Sequence, residues 1–158
     1  MPERLKYLST AIVFQEVPDE ISLAINISGC PHHCEGCHSQ YLWEYKGNYI
    51  SDDIESLMDK YDGYITCVCF MGGDQNLDEL NELCRTVHDY DLKCCVYSGS
   101  DDLSISDVPY FDYIKIGSYQ SDRGGLDSPN TNQRMFRRER ESFGRFFTDI
   151  THYFQKKG

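Results

Sequence analysis

Four short runs rich in β-branched and apolar residues, each closed by a glycine or serine turn, set the architecture open to this chain. Ile21–Ser28 ends at Gly29, Tyr64–Met71 at Gly72-Gly73, Leu92–Tyr97 at Ser98-Gly99, and Tyr113–Ile116 at Gly117. Helical patterns lie between them. Ser51 is placed to cap a helix running to about Tyr61, with Asp52, Asp53 and Glu55 at its positive end. Leu77, Leu80, Cys84 and Val87 fall on one face of a second helix after Asn76. Strands alternating with helices predict an α/β fold whose sheet is mostly parallel. Leu8–Val17 adds an edge strand, Ser39–Tyr45 a short helix, and beyond Ile116 the pattern becomes irregular.

A chain of 158 residues suits one domain, residues 1–158. Its hydrophobic content of 40% is enough for a packed core, which excludes a wholly disordered chain. No apolar run approaches the roughly 20 residues of a membrane span, and Met1–Thr10 lacks the pattern of a secretory signal. The expectation is a cytoplasmic protein with no membrane partner. A net charge of −11 argues against non-specific nucleic-acid binding. The charge is uneven: residues 1–114 hold 6 basic and 21 acidic side chains, a balance of −15, and residues 115–158 hold 9 and 5, a balance of +4. The basic segment is too short for a core of its own and belongs to the same domain.

In parallel sheets, ligands bind beyond the carboxyl ends of the strands. The loops after all four runs therefore share one rim. The first is Cys30-Pro31-His32-His33-Cys34-Glu35-Gly36-Cys37, three thiols within eight residues. Thiolates are soft ligands that suit zinc or an iron–sulfur cluster. Zinc would take a fourth ligand from His32, His33 or His38. A 4Fe–4S cluster on three cysteines keeps one iron free of protein ligands.

The C-x-x-x-C-x-x-C spacing resembles the signature of the radical S-adenosylmethionine superfamily. That family usually has an aromatic residue where this chain has Gly36. The longer string, Ser28-Gly29-Cys30, Cys34-Glu35-Gly36-Cys37 and Trp43, is similar to the small activating enzymes of anaerobic ribonucleotide reductases, which also have glycine there. Gly72-Gly73-Asp74 resembles the Gly-Gly-Glu motif of the superfamily, and Gly124–Pro129 with Thr131-Asn132-Gln133-Arg134 resembles a string of the same activating enzymes.

The resemblance implies a shortened partial (βα) barrel with Cys30, Cys34 and Cys37 as the ligands of a 4Fe–4S cluster. Gly36, Cys37 and His38 then line S-adenosyl-L-methionine, and Gly72, Gly73 and Asp74 hold its methionine end. Ser98, from its place at a strand's end, is a further candidate contact. The implied reaction is reductive cleavage of S-adenosylmethionine, giving methionine and a 5′-deoxyadenosyl radical that takes a hydrogen from a glycine of the partner, an anaerobic ribonucleoside-triphosphate reductase. A flavodoxin or ferredoxin would supply the electron. Two rivals stand beside this reading. One is another small radical enzyme, similar to the pyruvate formate-lyase activator or modifying a small heterocycle. The other is a zinc-binding interaction module.

The other five cysteines sit in apolar runs. Cys67 and Cys69 share one side of a strand, Cys94 and Cys95 take opposite sides, and Cys84 lies on an apolar helix stripe. Buried cysteine behaves as a small hydrophobe, so these read as core. His88 and His152 have no partner visible in the spacing. Arg134, Arg137, Arg138, Arg140 and Arg145 are either a solvated face or a surface on which the reductase docks.

Overall fold

The computed structural model describes residues 3–29, 44–101, 103–118, 120, 122–139 and 146–155. Eight strands form one sheet: β1 (Lys6–Val13), β2 (Ser22–Ile27), β3 (Asn48–Tyr49), β4 (Cys67–Met71), β5 (Lys93–Tyr97), β6 (Tyr113–Ile116), β7 (Arg134–Glu139) and β8 (Phe146–Asp149). Their spatial order is β3-β1-β2-β4-β5-β6-β7-β8. The centre, β2-β4-β5-β6, is parallel. Both flanks are antiparallel, β3 and β1 on one side and β7 and β8 on the other.

The sequence pattern predicts a mostly parallel sheet, and the observed sheet is mixed. The parallel part is confined to the four runs that the pattern marks as strands. The strands it misses, β3, β7 and β8, lie outside this centre and all pair antiparallel. Within the parallel part each new strand adds on the same side, with no reversal of order.

Two helices cross over between parallel strands, α1 (Ile50–Lys60) before β4 and α2 (Leu77–Asp89) before β5. Both cover the same face of the sheet. Ile50, Ile54 and Met58 of α1 and Leu80, Leu83, Cys84 and Val87 of α2 pack with Leu23, Ile25, Val68, Phe70, Cys94, Val96 and Ile114. The alternate strand residues build a second core on the other face, where Cys67, Cys69, Cys95, Tyr113 and Met135 meet Val17, Leu126 and Ile150. The five described cysteines are buried and free of disulfides, so they fill core on both faces. Among the described residues no helix is long and apolar enough to cross a membrane.

The helix starts differ from each other in an instructive way. Asn76 caps α2 as its sequence predicts, accepting from Glu79 N at 3.2 Å. Ser51 does not cap α1, which starts two residues earlier than that cap implies, behind Tyr49 with no side-chain cap. The short β3 pairs with Lys6 and Tyr7, and Ile50 N donates to Leu5 O at 3.1 Å. Sheet pairing supplies the acceptor that a capping side chain would have provided. Ser51 instead accepts from Arg4 at 2.7 Å.

Candidate functional site

The carboxyl ends of β2, β4, β5 and β6 lie side by side, so the loops that follow them share one rim. The calls on Cys30, Cys34, Gly36, Cys37 and His38, like the helix expected at Ser39–Tyr45 up to its last two residues, lie outside the described residues. What is described is the root of their loop. Ser28 is fully buried, and its hydroxyl bridges the chain on both sides of the excursion: Lys46 N donates to Ser28 Oγ at 3.1 Å, and Ser28 Oγ donates to Lys46 O at 2.5 Å. Tyr45 Oη donates to Arg4 O at 2.6 Å, and Ser28 N to Lys6 O at 2.9 Å. The thiol-bearing loop thus leaves and re-enters the sheet at one fixed point beside β1.

The Gly72-Gly73-Asp74 turn is held against that root. Gln75 Nε2 donates to Ser28 O at 3.1 Å, joining residues 47 apart in sequence. Gly72 N donates to Tyr97 O at 2.8 Å. Gly73 has φ +104, and a Cβ there would stand 3.0 Å from the side chains of both Ile27 and Leu80. Only glycine fits this conformation in this space. The turn is therefore packed tightly against the core at the end of β4, with Gly73 itself buried.

Asp74 and Ser98, singled out separately from the sequence, are brought together. Ser98 Oγ donates to Asp74 Oδ2 at 3.0 Å, while Ser100 N donates to Ser98 Oγ at 3.0 Å. Beneath them is a residue that sequence reasoning missed. Lys115 is only 7% exposed, and its Nζ donates to Ser98 O at 3.1 Å and Gly117 O at 2.8 Å. A charge buried in a strand at the rim is the signal that could have revealed it. Further along, Asn132 Nδ2 donates to Ser118 O at 3.0 Å and Gln133 Nε2 to Gly117 O at 3.3 Å. The Asn-Gln pair thus ties the loop after β6 to the start of β7.

Among the described residues, two side-chain oxygens at this rim, Gln75 Oε1 and Asn132 Oδ1, are buried without a donor. Among the described residues no group of three His, Cys, Asp or Glu side chains is disposed to hold a metal ion. The described arginines have partners within the sheet. Arg134 lies 3.7 Å from Asp149, Arg137 pairs with Glu139 and lies over Tyr153, and Arg138 donates to Pro109 O and lies over Phe147. Arg140 and Arg145 lie outside the described residues.

A cleft of about 860 Å³ opens at the opposite, amino ends of the parallel strands, and its chemistry is that of a closed base. Glu20 accepts from Thr66 Oγ1 at 2.7 Å, Lys93 Nζ at 2.8 Å and Tyr113 Oη at 3.0 Å. Burial and the neighbouring Glu20 push the Tyr113 hydroxyl well above its ordinary pKa, which keeps it a donor. His88 Nε2 stands 2.9 Å from Asp112 Oδ2, a partner the sequence spacing did not show. These charges satisfy each other, whereas the rim holds acceptors without a donor among the described residues. The rim is the stronger candidate.

A family model described as a 4Fe-4S single cluster domain matches residues 21–116. That span runs from the start of β2 to the end of β6 and includes the first three rim loops, ending where the fourth begins. The comparisons with curated proteins and with solved structures give no match.

Proposed function

The chain belongs to the 4Fe-4S single cluster domain family, and from that premise we propose that it is a radical S-adenosylmethionine enzyme that activates an anaerobic ribonucleotide reductase. The observation that carries this reading is the meeting, at one rim, of the root of the three-cysteine loop with the Gly72-Gly73-Asp74 turn, through Gln75 and Ser28. In this proposal Cys30, Cys34 and Cys37 hold the cluster, and the sheet is a sector of a (βα) barrel. The unreversed strand order and the placing of both helices on one face support such a sector.

When bound, the cluster and S-adenosylmethionine supply one-electron reductive cleavage of a sulfonium and a carbon-centred radical. The rim fits such a cofactor. Gln75 Oε1 and Asn132 Oδ1, which have no donor among the described residues, are acceptors for a donor-rich ligand. Ser98 aims the Asp74 carboxylate by donating to one of its oxygens. Lys115 fixes the Ser98 and Gly117 carbonyls, so the two loop starts keep a constant separation. Apolar packing of Ile27 and Leu80 beneath Gly73 keeps water from the underside of the turn.

The test is anaerobic reconstitution with iron and sulfide, then addition of S-adenosylmethionine, a low-potential reductant and the reductase. Formation of 5′-deoxyadenosine together with a glycyl radical signal on the reductase is the expected result. Cleavage with no radical on the reductase would favour another small radical enzyme, and a colourless zinc protein would favour the interaction module.

A further inference from the structure

Among the described residues, the sheet has one edge that is left largely uncovered. β1 pairs with β2 along Ser9–Val13 in unbroken register, Ser9 with Asn26 through Val13 with Ser22. On its other side β3 reaches only Lys6 and Tyr7. A register shift at Leu8 separates the covered part from the uncovered part. Among the described residues, the outer edge of Ser9–Val13 therefore has no strand against it. In an antiparallel ladder alternate residues turn both backbone groups to the same side, so about two or three of these five offer free N–H and C=O groups.

Such an edge is ordinarily blunted by shortness, charge or proline. The opposite edge follows that rule: β8 is four residues long, and its Asp149 carboxylate is taken up by Thr151. β1 does not. From Tyr7 to Gln15 the chain has neither a charge nor a proline. Ser9 and Ala11 are exposed, Ile12 is 39% exposed, and beyond the strand Phe14 is 67% and Ile21 40% exposed. This uncharged strip continues a strand whose first residue touches the candidate site. The Lys6 carbonyl at the start of β1 accepts from Ser28 N, the root of the cysteine loop.

We propose that the outer edge of β1 accepts an extended, uncharged segment of the reductase as an added antiparallel strand, which guides the segment towards the rim. The proposal rests on the function proposed above. β1 runs away from the rim, so a strand added antiparallel to it runs towards the rim and is stopped at Leu8 by β3. Backbone pairing supplies affinity, and Ile12 and Phe14 supply apolar contacts to alternate side chains of the segment. An uncharged segment fits because a charged one would lose water along this edge without gaining a partner. A second copy of the chain is the less suitable occupant, since each copy carries a net charge of −11 and the two would repel.

The test uses the full cluster-loaded chain, the intact reductase, and hydrogen exchange read at Ser9–Val13. Adding the reductase should slow exchange there by about tenfold or more, the equivalent of about 1.4 kcal/mol. Ile12→Lys, at a partly exposed position that tolerates the charge when free, should abolish that protection. It should also lower glycyl-radical formation at limiting reductase by about tenfold while cleavage of S-adenosylmethionine alone is unchanged. Radical formation without protection of Ser9–Val13 overturns the edge and leaves the reading of function standing. Protection without any glycyl radical upholds the edge and overturns that reading. Protection that rises with the concentration of this chain alone means that a second copy occupies the edge, and the proposal fails.

Discussion

Ser98 and Asp74, on different loops and 24 residues apart, are joined by a 3.0 Å hydrogen bond at the carboxyl ends of adjacent parallel strands. The bond orients the carboxylate that closes the Gly-Gly-Asp turn. Ser98→Ala removes one donor to the Asp74 carboxylate and loosens its orientation. A hydrogen bond to a charged group contributes about 1.5–3 kcal/mol, so affinity for S-adenosylmethionine should fall by roughly tenfold or more. Iron content should stay the same. A binding titration on matched cluster-loaded samples decides it, and unchanged affinity would remove Ser98 from the site.

Gly73 and Gly63 both have positive φ, +104 and +82, but only Gly73 is crowded. Alanine at either position carries the backbone cost of a left-handed conformation, of order 1–3 kcal/mol. At Gly73 the new methyl also meets Ile27 and Leu80 at 3.0 Å, whereas nothing lies within 4 Å at Gly63. Urea unfolding should therefore show Gly73→Ala to be the more damaging by about 1 kcal/mol or more. Equal losses would mean that the turn is not packed against the core as described.

The cysteines separate into two classes by what their loss does. Cys30→Ala, Cys34→Ala and Cys37→Ala should each yield protein unable to retain a 4Fe–4S cluster. Cys84→Ala should keep the cluster and cost about 1–2 kcal/mol of stability, because its thiol is fully buried between helix and sheet. Iron and sulfide analysis beside a melting curve separates the two. Loss of iron in Cys84→Ala with unaltered stability would contradict the core role.

Tyr7 donates to Asp53 Oδ2 at 2.7 Å, and burial, reinforced by that carboxylate, pushes its hydroxyl up to about 12. The unfolded chain releases this proton near the ordinary value of about 10, so between pH 10 and 12 the folded state holds more protons. Stability from this group is present below pH 10 and falls as pH rises through 12. Tyr7→Phe lacks both the bond and the titration. The gap in melting temperature between the two proteins should narrow from pH 9 to pH 11.5, and a constant gap would show that Tyr7 titrates normally.

The parallel centre was legible because its strands are apolar runs ended by turn residues. Tyr113–Ile116 is found with the bounds its sequence predicts, and α2 starts at its predicted cap. β7 was not legible. Its sequence, Arg-Met-Phe-Arg-Arg-Glu, has no alternation of apolar and polar residues, and its arginines gain their place by lying over Tyr153 and Phe147. The edge strand expected at Leu8–Val17 is a shorter β1, second in the sheet, because β3 lies outside it at Lys6 and Tyr7.

The turns of the candidate site could be read because glycine and cysteine spacing is local. What holds those turns together is not. Gln75 meets Ser28 across 47 residues, and Lys115 meets Ser98 across 17. No spacing rule connects such pairs. Only the burial of a lysine and the crowding of a glycine disclose them, and both need the folded chain.

The central claim is that three thiols hold a 4Fe–4S cluster whose electron cleaves S-adenosylmethionine. The most direct measurement is product analysis of the anaerobically reconstituted chain, given S-adenosylmethionine and reductant, beside its Cys30→Ala, Cys34→Ala and Cys37→Ala variants. The account predicts 5′-deoxyadenosine and methionine in equal amounts from the native chain and neither from the variants. A native chain that binds its cluster yet forms no 5′-deoxyadenosine, or variants that form it as well as the native chain does, would contradict it.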